Sequence, residues 1–247
     1  MNYLSTPEEI LEAARSVARS PWAAVDTEAD SLHHYVEKLC LLQITTPDGD
    51  LVVDPLAGAD LQPLVSALAG KPLTLHGADF DIRLLKRFYS FEPRMIFDTL
   101  LAAQLLGYDK QGLADLAKKH CGVVLPKAGQ KADWSRRPLE EDLLVYAAND
   151  THHLPLIRSR MEEELAALGR TSWQTQSCAR LLKSLQETRP DRKDPDAAWQ
   201  IKGSRALRGR ALTLLRELWL WREEEAKRRD RPSFKVLNSE YLVQLAQ

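Results

Sequence analysis

The tetrapeptide Pro47-Asp48-Gly49-Asp50 separates two apolar runs, residues 38–46 (KLCLLQITT) and 51–53, and it limits the folding of this chain more than any other feature. Pro, Asp and Gly reverse a backbone tightly, and β-branched, apolar segments on either side of such a turn read as paired strands. Residues 22–26 (WAAVD) supply a third strand just upstream, so the front of the chain predicts an antiparallel meander. Strands and helices then alternate. Short strands are expected at 73–76 and 95–98, a helix near 60–69 and another over 79–89, then helices near 99–106, 112–120, 139–148 and 151–168. An N-terminal helix from about Thr6 to Arg19 opens with a capping hydroxyl, Pro7 and two glutamates. The order predicts an α/β fold with a mixed five-stranded sheet flanked by helices.

The segment 187–198 (ETRPDRKDPDAA) is charged, holds two prolines and has little apolar content, which is the composition of a linker. Beyond it, Leu207, Leu212, Leu215, Leu218 and Trp219 recur at helical spacing and predict a small all-α C-terminal module. The expected division is a first domain over 1–169, a connecting helix and linker over 170–198, and the helical module over 199–247. Net charge differs between these parts. From residue 171 onward there are 16 Lys and Arg against 10 Asp and Glu, whereas the first 170 residues hold 18 against 25. An acidic front suits cations, and a basic appendage suits a phosphate chain, although two solvated surfaces would carry the same balance.

Three segments place carboxylates at the edges of predicted elements. Asp26 and Glu28, in VDTE, are separated by one residue of a strand and so point the same way. HGADFD puts Asp79 and Asp81 at the start of a helix, and YAAND spaces Tyr146 and Asp150 four apart on one helix face. Each has an ordinary alternative: a turn, a helix cap, or a tyrosine packed in a core. Together they offer four carboxylates, Asp26, Glu28, Asp81 and Asp150, and a phenol, a hard oxygen donor set suited to Mg²⁺ or Mn²⁺ and to phosphodiester hydrolysis by a pair of such ions.

The order and spacing of VDTE, HGADFD and YAAND resemble the three exonuclease motifs of the DEDD superfamily, and the ribonuclease D family in particular. The resemblance also takes in LCLLQIT at 39–45, FDTLLAAQLLG at 97–107 and DWSRRPL at 133–139, so it spans roughly residues 20–168. It implies a ribonuclease-H-like fold, Asp26, Glu28, Asp81 and Asp150 as ligands of two divalent ions, and Tyr146 as the group that orients the attacking water. These five form the catalytic set. The superfamily's other branch has a histidine where this chain has Val145, which assigns it to the tyrosine branch. The implied activity is 3′-5′ hydrolysis of single-stranded RNA with a free 3′ end, in tRNA precursors or other stable RNA, to nucleoside 5′-monophosphates. DNA as substrate and a catalytically silent nucleic-acid-binding module are the alternatives.

Substrate contacts are expected from Thr27 and His76 beside the carboxylates. Lys127, Trp134, Arg136 and Arg137, in a basic segment around an aromatic ring, join them. His76 serves equally as a satisfied structural histidine, and Asp98 reads as a helix cap. After the linker, Trp199, Lys202, Gly203 and residues 218–246 are similar to the start of the helicase-and-ribonuclease-D C-terminal domain, of which only part is expected here. No apolar run approaches the roughly 18–20 residues that span a bilayer, the N-terminus lacks a signal-peptide pattern, and three scattered cysteines make no disulfide framework. A cytoplasmic protein is expected, with no membrane association and no protein partner indicated.

Overall fold

The computed structural model describes residues 1–126, 129–187 and 197–247. The chain divides into two compact units, Met1–Ala29 with Leu39–Pro190, and Asp30–Lys38 with Asp191–Gln247. The first unit is built on a six-stranded sheet. Its strands are β1 (Asn2–Leu4), β2 (Ala23–Ala29), β3 (Leu39–Thr46), β4 (Gly49–Val53), β5 (Pro72–Leu75) and β6 (Met95–Asp98), in the order β1-β4-β3-β2-β5-β6. The expected hairpin is present: β3 and β4 pair antiparallel, as do β2 and β3, while β5 and β6 add in parallel.

The expected sheet had five strands, and the sixth is β1, which pairs in parallel with β4. Three residues are too few to show a period, so β1 forms through its neighbours. The Tyr3 hydroxyl donates to Asp54 Oδ2 at 2.5 Å. Helix α1 (Pro7–Arg19) comes next, opened by a reciprocal capping box between Thr6 and Glu9. Its buried Ile10, Ala13, Ala14 and Val17 match the i, i+3, i+4, i+7 stripe that lays a helix on a sheet.

β3 is buried along its whole length, which places it at the middle of the sandwich. On one face Val25, Leu42 and Ile44 pack with α1, α2 (Gln62–Ala69) and α3 (Asp79–Tyr89). On the other, Leu41 and Val52 meet Trp134 and the Tyr146-Ala147-Ala148 stretch of α6 (Glu141–His152). Two alanines let α6 lie close to the strands. Helices α4 (Thr99–Leu106), α5 (Leu113–Cys121) and α7 (Leu154–Ala167) share a further cluster around Phe97, Leu116 and Ile157. α8 (Thr171–Glu187) contributes Cys178 and Leu185 to the main core, and Gln174 Nε2 donates to the Asp98 carbonyl.

The second unit packs α9 (Arg210–Arg228), α10 (Ser233–Val236) and α11 (Ser239–Leu245) around Leu207, Leu215, Leu242 and Ala246. Buried Arg222 ties α9 to the Leu237 carbonyl and the Ser239 hydroxyl. Residues 30–38 belong to this unit: Asp230 accepts from the Tyr35 amide at 3.1 Å and pairs with His34 Nδ1 at 2.7 Å. Among the described residues no helix is long and apolar enough to cross a membrane. Cys40, Cys121 and Cys178 are free thiols.

Candidate metal centre

β2 runs on to Ala29 instead of ending near Asp26, so Asp26 and Glu28 both stand in extended backbone and project from one face. α6 likewise continues to His152, which sets Tyr146 and Asp150 on one face one turn apart, over those carboxylates. The Thr151 hydroxyl and Thr45 Oγ1 on β3 meet at 2.8 Å in a buried contact that fixes the end of α6 on the sheet. The result is a cluster in which carboxylate oxygens of Asp26, Glu28 and Asp150 all lie within 4.8 Å of one another.

Asp81 enters from the first turn of α3 and is buried. Two groups place it. The Thr27 hydroxyl, on the opposite face of β2 from Asp26, donates to Asp81 Oδ1 at 2.5 Å. The loop before α3 is held by Asp98, whose carboxylate accepts from the Gly77 and Ala78 amides at 2.9 Å while also capping α4 through the Leu100 and Leu101 amides. Gly77 turns this loop with φ +74°, a conformation that favours glycine.

Four carboxylates gathered this way repel one another. Burial, then the charges of Asp81, Asp150 and Glu28, push Asp26 well above the usual carboxylate range. Burial first, then Asp150 and Asp81, raises Glu28 to about 9, and burial raises Asp81 and Asp150 each to about 7, with Asp81 adding to the shift at Asp150. A cation among them reverses the cost, because it favours the ionised form of every carboxylate that faces it. The donors are all hard oxygens, so the residues fit a divalent ion of the Mg²⁺ class. Burial, with the nearby carboxylates adding to it, also raises the Tyr146 phenol. A phenol so raised keeps its proton, which suits it to hydrogen bonding and not to accepting a proton.

The Tyr146 ring rests on buried Trp134, centroids 6.0 Å apart and planes tilted by 34°. On another side lies Gly129, where an added Cβ would overlap the ring itself. The sequence alone does not single out Gly129, although its place between Lys127 and Trp134 is the signal that could have found it.

The expected substrate contacts fall in different places. Thr27 is buried and engaged by Asp81. His76 sits at the end of β5 with Nδ1 2.9 Å from the Thr99 hydroxyl, and burial lowers its pKa, which keeps the ring neutral. Trp134 is buried, and its Nε1 has no hydrogen-bond partner among the described residues. Arg136 is exposed and pairs with Asp133. Arg137 grips Asp54 through two bonds of 2.6 Å and donates to the carbonyls of Trp134, Arg136 and Cys40. Lys127 lies outside the described residues.

This sheet, with carboxylates brought together from β2, α3 and α6, defines a class. Residues 1–166 match the family described as "3'-5' exonuclease", and the chain belongs to it. Among its members the chain is similar to "Ribonuclease D" of Gluconacetobacter diazotrophicus, 33% identical over 98% of this chain and 62% of that protein. The chain thus spans about three fifths of the length of that curated relative. Residues 211–247 match the "HRDC domain" family. The solved structure of Escherichia coli RNase D, described as an exoribonuclease involved in structured RNA processing, superposes with a TM-score of 0.79 at 28% identity, covering 100% of this chain and 66% of that one. Brucella melitensis NrnC with bound Mg²⁺ superposes with a TM-score of 0.61 at 26% identity, over 68% of this chain and 85% of that one.

Proposed function

We propose that this chain carries a metal-dependent 3′-5′ exoribonuclease activity, with single-stranded RNA bearing a free 3′ hydroxyl as substrate and nucleoside 5′-monophosphates as products. The observation that carries the reading is the convergence of Asp26, Glu28 and Asp150 oxygens within 4.8 Å, with Asp81 tied to the same strand through Thr27. Asp26, Glu28, Asp81 and Asp150 would hold two divalent ions, Mg²⁺ or Mn²⁺, which when bound would supply Lewis acidity to water and to a leaving oxygen. Tyr146, protonated and braced by Trp134, orients the attacking water. His76, neutral at the sheet end, offers its ring to the terminal nucleotide, and exposed Arg136 offers a charge to the phosphate chain.

In the same reading the exonuclease domain occupies residues 1–169 other than 30–38, residues 170–198 form a connection whose helix α8 packs into the first unit's core, and the helical module of 199–247 adds a basic surface. tRNA precursors and other stable RNAs are the substrate class that the similarity to RNase D supports. Three free thiols suit a reducing compartment, the cytoplasm.

The test uses end-labelled single-stranded RNA and matched DNA, each with a free or blocked 3′ end, in Mg²⁺, Mn²⁺ or EDTA. Stepwise shortening of RNA from the free 3′ end, abolished by EDTA and by Asp150→Asn, is the expected result. Equal or faster loss of DNA would replace the RNA assignment. Degradation that persists in EDTA, or binding without turnover, would end the metal-dependent reading.

A further inference from the structure

Gln43 occupies the middle of β3 with no solvent exposure, and neither its Oε1 nor its Nε2 has a hydrogen-bond partner among the described residues. A buried amide with nothing to bond is costly to leave unpaired, so its position asks for a partner. The register supplies one. β3 lies antiparallel to β2 with Gln43 directly opposite Asp26. Residues so opposed project from the same face of a sheet, with Cβ atoms about 4.5–5.5 Å apart. Of the neighbouring β3 side chains on that face, Leu41 has no polar atom, and the Thr45 hydroxyl is engaged by Asp50 and Thr151.

We propose that Gln43 is a positioning residue for Asp26. A carboxylate only accepts hydrogen bonds, whereas a primary amide has two N–H groups to give. With a cation in the cluster, Nε2, which has no partner in the metal-free arrangement, would turn to donate to an Asp26 carboxylate oxygen and so fix that carboxylate's rotation. Partners of this kind orient ligands and raise metal affinity without touching the ion. The inference rests on the reading of Asp26 as a metal ligand.

The experiment titrates Mn²⁺ calorimetrically into the full chain and into its Gln43→Met and Gln43→Leu variants, and records thermal unfolding of each in EDTA. The Mn²⁺ dissociation constant is expected to rise about 10-fold or more in both variants. The metal-free Tm should hold or increase, because hydrocarbon replaces an amide without a partner. A lowered metal-free Tm with unchanged Mn²⁺ affinity means a packing role and overturns the proposal, as does unchanged affinity with unchanged Tm. Wild-type protein that takes up no Mn²⁺ overturns the metal reading itself, and this inference with it. Should branching at Leu impair folding, the unbranched Met variant decides.

Discussion

Thr27 donates its hydroxyl to Asp81 on the face of β2 opposite Asp26, joining residues 54 positions apart at 2.5 Å. The bond ties Asp81 to the strand that bears Asp26 and Glu28, and it favours the ionised form of Asp81. Thr27→Val keeps the volume and removes the donor. Mn²⁺ affinity should fall by about 10-fold, as for other partners of metal ligands. The rising limb of the pH–rate profile should move to higher pH, since Asp81 loses a group that holds its pKa down. Calorimetry and a pH series of initial rates check both.

Stability of the metal-free protein should depend on pH in the direction opposite to ordinary acid denaturation. Glu28, Asp81 and Asp150 have folded pKa values of about 9, 7 and 7, above their ordinary values of 4.5, 3.8 and 3.8. A raised carboxylate binds more protons folded than unfolded, so its contribution is present below the unfolded pKa and is lost as pH climbs through the folded one. Each group removes about 1.4 kcal/mol per pH unit within its window at most, before solvent and coupling reduce it. In EDTA, Tm should therefore fall between about pH 5 and about pH 8. Added Mn²⁺ should raise Tm more at the upper end, where it displaces fewer protons. A flat EDTA profile would contradict the clustering.

Gly129→Ala places a methyl group against the Tyr146 ring. The aromatic ring cannot bend away, so it or the loop must shift. A displacement on the order of 1 Å at a catalytic group costs about 10²-fold in rate. kcat should drop by that order while Mn²⁺ affinity, set by carboxylates on other residues, stays close to wild type. Equal losses in both would mean that the loop holds the ligands too.

Arg137 distinguishes a structural cation from a substrate contact. Its bidentate grip on buried Asp54, with three carbonyls besides, predicts that Arg137→Ala destabilises by roughly 2 kcal/mol. That is about 4–8 °C in Tm for a unit of this size. KM for RNA should hardly change. A raised KM at constant Tm would return Arg137 to the substrate path.

The features legible in the sequence are those set by local order: the Pro47–Asp50 turn, the helix start at Thr6, and the alternation that aims Asp26 and Glu28 one way. Strand and helix periods put Asp26 with Glu28 and Tyr146 with Asp150, whereas Asp81 was legible only through the company of the other two motifs and the family resemblance. The rest is decided by distant partners. β1 is three residues long and exists because β4 has an edge to pair with. Arg137 looked like a phosphate ligand because nothing nearby announces Asp54, 83 positions away. Gln43 sits in an apolar run that explains itself as a strand, and only the register sets its amide opposite Asp26.

The nine residues 30–38 change what kind of object the C-terminal helical unit is. They leave the ribosome about two hundred residues before Asp230, the side chain that receives His34 and the Tyr35 amide. The unit is consequently no cassette that evolution or an engineer could lift out at the linker, because excising residues 191–247 leaves part of its own fabric behind in the host.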